Sequence, residues 1–246
     1  MRLFYGFDNL DFERPAVVSI GSFDGVHSGH RELIDRVKRM AQRLDALSVI
    51  ISFEPHPRIA MGRAEGMGLL TTVEERAMLF ERLGIDVMVV ARFDERFREQ
   101  SYEEFVRCSL VRKLGMCGMV VGYNHRLGRG NGGDYNSLLP LSRELGFELE
   151  CVEQFLLSGD KVSSTEVRRL FDEHRMDDAC ILLGHRYIVH GYVREGVLSV
   201  DNEHKLMPPS GEYDAHVVGY GDTRVRVEGR KIYVNRDIND CVFIEF

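Results

Sequence analysis

Ala16-Val17-Val18-Ser19-Ile20-Gly21-Ser22-Phe23-Asp24-Gly25-Val26-His27-Ser28-Gly29-His30 decides how this chain folds. Its first five residues are a short apolar run rich in β-branched side chains between Pro15 and Gly21, which predicts a buried strand. Beyond His30, Leu33, Ile34, Val37, Met40, Ala41 and Leu44 recur every three or four positions, while Arg31, Glu32, Arg36, Lys38, Arg39 and Arg43 fill the other face. That is the period of an amphipathic helix. A glycine turn thus delivers two histidines to the start of a helix. Helix N-termini leave N–H groups unsatisfied and carry partial positive charge, and glycine lets a ligand approach the backbone closely, so such a turn suits phosphate. His27 and His30 stand where those N–H groups point; as cations they could hold a triphosphate and stabilise the charge that develops as pyrophosphate leaves. The plainer role is capping the turn. Zinc is a poor fit, because H-x-x-H has no third ligand nearby.

The surrounding pattern extends this unit. Strands are expected at Leu47 to Phe53, Val87 to Ala91, Met119 to Tyr123 and Glu148 to Val152, and helices at Val73 to Leu83, Tyr102 to Leu114, Asn136 to Leu145 and from Ser164 and Met176. Alternating strands and helices predict an α/β fold with a Rossmann-like parallel sheet covered on both faces, whose ligands bind at the carboxyl ends of the strands. From His185 onward the text changes to short alternating runs separated by Gly, Asn, Asp and Pro, which predict a small antiparallel β domain. The expected boundaries are 1–184 and 185–246.

Composition narrows the function classes. With 246 residues and 44% hydrophobic side chains there is ample material for a core. A net charge of -7 argues against a general nucleic-acid binder, so anions must be bound locally. No stretch has signal-peptide or membrane-spanning character, so a cytoplasmic protein with no membrane partner is expected. The cysteines (108, 117, 151, 180 and 241) are odd in number and scattered, which suits reduced, buried thiols.

Three further segments carry chemistry. Ser52-Phe53-Glu54-Pro55-His56-Pro57-Arg58 follows a strand, and its prolines stiffen the exit as a binding wall or a mere connector. Gly122 to Asp134 contains Gly128, Gly130 and Gly133, a formal dinucleotide fingerprint in the wrong place relative to strand and helix. It reads better as a mobile lid, with Arg126 and Arg129 available to phosphate and Tyr123 to an aromatic ring. Ser163-Ser164-Thr165-Glu166-Val167-Arg168 is helix-capping chemistry with an arginine one turn in, able to reach a phosphate at the same helix end.

In order, Gly21 to His30, Phe53 to Pro57, Val121 to Gly128 and Val162 to Arg168 resemble the bacterial bifunctional riboflavin kinase/FAD synthetase family over residues 16 to 190. The resemblance implies an FMN adenylyltransferase that uses ATP with Mg²⁺, takes FMN as substrate and gives FAD as product. It implies that His27, His30 and Arg168 are catalytic. Gly21, Ser22, Phe23, Asp24, Gly29, Ser163, Ser164 and Thr165 would bind ATP, and His56, Pro57, Tyr123, Asn124, Arg126 and Gly128 would bind FMN. The family usually has Asp-Phe where this chain has Asn124-His125, and an arginine where it has Asn131. Its kinase module carries Gly-x-Pro-Thr-Ala-Asn, for which Gly196 to Met207 offers no counterpart. Riboflavin kinase activity is therefore expected to be absent, with 185–246 a shortened remnant. Two alternatives stay open: transfer to another phosphorylated acceptor, and a non-catalytic flavin- or nucleotide-binding regulator.

Overall fold

The computed structural model describes residues 1–8, 10–64, 66–157 and 159–246, and the chain divides into two compact units. The first comprises Met1–Phe23, Gly29–Glu65 and Leu79–Phe155; the second comprises Asp24–Ser28, Gly66–Met78 and Leu156–Phe246. Neither is continuous in sequence.

The first unit is built on a six-stranded parallel sheet: β1 (Arg2–Tyr5), β2 (Ala16–Ile20), β3 (Leu47–Glu54), β4 (Val87–Arg92), β5 (Met116–Gly122) and β6 (Glu148–Val152), in the order β1-β4-β3-β2-β5-β6. Parallel strands buried on both faces read as continuous apolar runs, and all five residues of β2 are buried. Helix α1 (Ser28–Arg43) connects β2 to β3 and buries Ile34, Val37, Met40 and Ala41. Beyond β3 lie α2 (Pro57–Ala60), α3 (Val73–Arg82), which belongs to this unit from Leu79 onward, α4 (Glu95–Glu99), α5 (Tyr102–Phe105) and α6 (Tyr135–Leu145). From β2 the chain adds β3 and β4 on one side, then returns to place β5 and β6 on the other. The order reverses between β2 and β5, and the crevice outside the carboxyl ends at such a switch point is where open α/β sheets bind ligands.

The second unit holds the short pair β7 (Leu156–Leu157) and β8 (Asp160–Lys161), helices α7 (Ser164–Asp172) and α8 (Met176–Leu183), and strands β9 (Ile188–Arg194), β10 (Val197–Ser199), β11 (Gly211–Val217), β12 (Gly221–Glu228), β13 (Lys231–Val234) and β14 (Asp240–Glu245). The last six close into an antiparallel barrel, which removes the exposed edges an open sheet of this size would leave. Val189, Val193, Leu198, Val217, Ile232 and Ile244 fill it.

The α/β and small antiparallel β classes are as expected, while the short elements α2, α4, β7 and β8 are additions, and further differences follow. Strand β1 is not expected from the sequence, because four residues of mixed exposure carry no clear alternation. The helix expected at Tyr102 to Leu114 changes to a π-helix over Val106–Val111, a widening that leaves the apolar spacing nearly unchanged. None of the cysteines is fully buried; four are half-buried and Cys241 is exposed, all of them free thiols. Among the described residues no helix is long and apolar enough to cross a membrane.

Candidate active site

In the first unit, three loops leave the carboxyl ends of β2, β3 and β5. The β2 exit begins as an extension of the sheet: Gly21 N–H donates to the Ile51 carbonyl at 3.1 Å, and Ser52 Oγ donates to the Ser22 carbonyl at 3.1 Å. Phe23 then takes φ +49°, a left-handed conformation costly for a residue with a Cβ. Burial offsets that cost. Its ring lies edge-on to Phe80 at 5.6 Å and against the His30 imidazole at 5.1 Å. His30 is therefore seated on Phe23, in the first turn of α1. Gly21 suits the same arrangement, since a Cβ there would meet the Phe23 ring at 3.2 Å and the ring would have to give way.

The β3 exit ends in buried His56, whose Nδ1 accepts from the Arg58 backbone N–H at 3.1 Å and caps α2, with Pro57 as its first residue. That bond makes Nδ1 the acceptor and leaves the proton on Nε2. The β5 exit presents Tyr123 and Asn124 as exposed side chains. Leu127 and Gly133 exchange both backbone hydrogen bonds, at 3.1 and 2.8 Å, and Arg129 N–H donates to the Gln100 carbonyl at 2.9 Å. The expected lid is thus tied down at its base. A Cβ on Gly128 would strike the Tyr102 backbone, and one on Gly133 would meet Tyr102 Cβ at 2.7 Å. These two glycines permit close packing against Tyr102. Arg126 Nη1 lies 3.7 Å from Asp134.

In the second unit, the segment Asp24–Ser28 is held from several directions. Asp24 is 1% exposed. Its carboxylate accepts from Thr71 N–H at 2.9 Å, Thr71 Oγ1 at 3.2 Å, Leu70 N–H at 3.2 Å and the Arg168 guanidinium. A buried carboxylate must be satisfied in this way or lose its charge. Its backbone carbonyl accepts from Ser164 Oγ at 2.8 Å. Gly25 N–H donates to Thr71 Oγ1 at 2.8 Å, the Gly25 carbonyl meets His185 Nε2 at 2.9 Å, and Ser28 Oγ donates to the Leu182 carbonyl at 2.9 Å. The turn needs this support, because Gly25 has φ +84° and Val26 has φ +42°. A larger residue at Gly25 would be strained by φ +84° whatever the space, and its Cβ would also press on Leu70 Cδ1 at 2.8 Å.

His27 sits in this segment, 7% exposed. Burial lowers its pKa to about 4, with Asp24 opposing the shift and His185 and Arg168 adding to it. His27 is accordingly a neutral imidazole at pH 7, a hydrogen-bonding group rather than the standing cation that the motif suggests.

Ser163 caps α7, accepting from Glu166 N–H at 3.3 Å, and Thr165 is exposed in the first helical turn. Arg168, one turn further on, donates from Nε to the Gly68 carbonyl at 2.7 Å and pairs with Asp24. Of the residues expected to bind ATP in this unit, Asp24, Ser163, Ser164 and Thr165, and of those expected to be catalytic, His27 and Arg168, the structure joins Ser164 and Arg168 directly to Asp24. Asp24 faces protein donors there. The sequence does not single out Thr71, Leu70, Gly68 or His185 as site residues. Thr72 to Glu75 carries a capping-box signature that could have marked the loop: Thr72 N–H donates to Glu75 Oε2 at 2.8 Å, and Glu75 N–H to Thr72 Oγ1 at 3.4 Å.

A histidine-bearing turn that leaves a strand of a parallel sheet and opens onto a helix N-terminus defines an α/β protein suited to binding phosphate. A family model described as FAD synthetase matches residues 10–166, and the chain belongs to that family. It is 29% identical to the bifunctional riboflavin kinase/FMN adenylyltransferase of Escherichia coli (strain K12), over 90% of this chain and 75% of that protein. It is 30% identical to the protein of the same name from Listeria monocytogenes, over 85% of this chain and 70% of that one. The crystal structure described as a macrolide-efflux protein from Streptococcus pneumoniae aligns with a TM-score of 0.82 at 20% identity, covering 100% of this chain and 90% of that one. That last likeness concerns the fold alone.

Proposed function

We propose that the chain is an FMN adenylyltransferase that makes FAD. An oxygen of the FMN phosphate attacks the α-phosphorus of ATP, the bond to the bridging oxygen breaks, and pyrophosphate leaves with the charge. No covalent enzyme intermediate is required, so catalysis is positioning plus charge stabilisation. The observation that carries this reading is the braced turn with His27 and His30 at the start of α1, in a member of the FAD synthetase family.

His30 and the first N–H groups of α1 would take the triphosphate. Gly21, Ser22, Phe23 and Gly29 would shape that turn. His27 would donate a hydrogen bond to a phosphate oxygen, and the gathering negative charge would raise its proton affinity. Arg168, aimed by Asp24, would meet the phosphates with Ser163, Ser164 and Thr165 at the start of α7. His56, Pro57, Tyr123, Asn124, Arg126 and Gly128 would face FMN. Mg²⁺ enters as the counter-ion of ATP. The domains would be 1–184 for transfer and 185–246 for the β domain, and the lack of a Gly-x-Pro-Thr-Ala-Asn segment supports absence of riboflavin kinase activity.

Incubating the protein with ATP, Mg²⁺ and FMN should yield FAD and pyrophosphate in equal amounts. Replacing FMN by riboflavin should yield neither FMN nor FAD. Flavin phosphorylation in that second mixture would overturn the kinase loss, and no FAD in the first would overturn the transferase reading. One observation favours a second reading: Asn124-His125 in the β5 exit loop departs from the family's usual Asp-Phe, which would suit another phosphorylated acceptor. Pyrophosphate release with such an acceptor but not with FMN would select it.

A further inference from the structure

Lys205 is fully buried, with its Nζ enclosed by the Leu70 carbonyl at 2.7 Å, the Ile188 carbonyl at 2.8 Å and Glu75 Oε2 at 2.7 Å, and the Tyr187 ring centroid 4.2 Å away. An ammonium taken out of water is tolerated only with a partner and a full set of acceptors, and this one has three acceptors and an aromatic face. Glu75 is fully buried too, and its other oxygen accepts from the His190 backbone N–H at 2.8 Å. A pair of apolar residues would fill this space with less desolvation. What the pair adds is direction: it ties one carbonyl of the 68–72 loop and one of β9 to a single point.

The segment that carries Lys205 is itself braced. Leu69 N–H donates to the His204 carbonyl at 2.7 Å and Leu206 N–H to the Leu69 carbonyl at 2.8 Å, a parallel bridge between Leu69 and Lys205. Arg230, in the β12–β13 hairpin, donates to the carbonyls of Lys205 at 3.0 Å and Asn202 at 2.7 Å. Tyr187 Oη donates to the Leu206 carbonyl at 2.6 Å. The far side of the same loop holds the turn, since Leu70 and Thr71 donate to Asp24 and the Gly68 carbonyl accepts from Arg168. Gly68 cannot carry a side chain, because its Cβ would lie 2.8 Å from Leu206 Cβ.

We infer that Lys205 and Glu75 are positioning residues: residues 202–206 form a strut through which the barrel sets the 68–72 loop, and with it Asp24 and Arg168, for binding the triphosphate. Neither residue touches substrate. The inference rests on the adenylyl-transfer reading only for what the braced turn binds; the mechanical part stands without it. It gives the β domain a task in adenylyl transfer.

Lys205→Met in the full chain tests it with two readouts. The first is amide hydrogen exchange of the folded variant, where Leu70, Thr71 and Gly25 should lose protection while the parallel sheet keeps it. The second is steady-state kinetics, where KM for ATP should rise by roughly tenfold to a hundredfold while KM for FMN stays unchanged. A role confined to stability would lower Tm and leave both readouts alone. Should Lys205→Met fail to fold, the double variant Lys205→Met/Glu75→Leu, which leaves no buried charge unpaired, takes its place with the same expectations. Unchanged protection at Leu70 and Thr71, or an unchanged KM for ATP in an active variant, overturns the inference. Wild-type protein that makes no FAD, beside a variant that loses that protection, would sink the function and leave the strut standing.

Discussion

Asp24 and Arg168, 144 residues apart in sequence, form an ion pair in which the carboxylate is sealed from water and the guanidinium is nearly so. Asp24 also closes the β2 turn and accepts from Thr71. One carboxylate thereby sets both the turn and the arginine.

Asp24→Asn keeps the shape and removes the charge. Leaving Arg168 without its partner should cost roughly 3 kcal/mol of stability, since breaking a buried pair strands the remaining ion. Calorimetry would read this as a fall in Tm, and initial rates of FAD formation at a temperature where the variant is folded should drop as well. A variant with the wild-type Tm and rate would show that the pair does not organise the site.

His30→Ala tests the part of the turn seated on Phe23. Removing one preorganised donor to a developing oxyanion costs about 2.7–4 kcal/mol in comparable sites, so kcat should fall by roughly 10² to 10³. FAD formation followed under saturating FMN would measure it. An unchanged kcat would exclude His30 from the transition state.

The buried histidines give stability a defined dependence on pH. His27 and His125 both have pKa values lowered from 6.5 to about 4, chiefly by burial, and Nε2 of His125 has no hydrogen-bond partner among the described residues. Between those values the unfolded chain binds protons that the native protein does not. Stability is full above pH 6.5 and declines as pH falls toward 4, by up to roughly 3 kcal/mol per histidine. His125→Phe removes one of the two groups, so its Tm should decline less steeply over that window than that of the wild type. Superimposable profiles would show that His125 is not held neutral in the native state.

The framework was legible because burial on two faces leaves an unmistakable mark: β2, β3, β4 and β5 are largely apolar, buried runs, and α1 follows its spacing closely. The edge strand β1 carries no such mark. Within the site, residues that act through their neighbours in sequence were readable, as with Ser163 capping α7. Contacts made across the chain were not. Thr71 meets Asp24 from 47 positions away, His185 meets Gly25 from 160, and Lys205 meets Glu75 from 130. A buried lysine and a surface lysine look alike in a sequence, since what distinguishes them is supplied by distant carbonyls. Two glycines of the β5 exit loop have a packing reason that the sequence does not show: a Cβ on Gly128 would strike the Tyr102 backbone, and one on Gly133 would meet Tyr102 Cβ and Leu127.

The left-handed conformations at Phe23, Gly25 and Val26 have a consequence for anyone wishing to transplant this motif. A peptide copied from residues 16 to 44 would contain each glycine and histidine of the turn and none of its geometry, because the groups holding it, Phe80, Thr71, Ser164 and His185, come from elsewhere in the chain. Grafting the loop onto another α/β scaffold would require carrying those four props along with it. What travels between proteins as a short signature is, in this fold, the visible part of a much longer piece of chain.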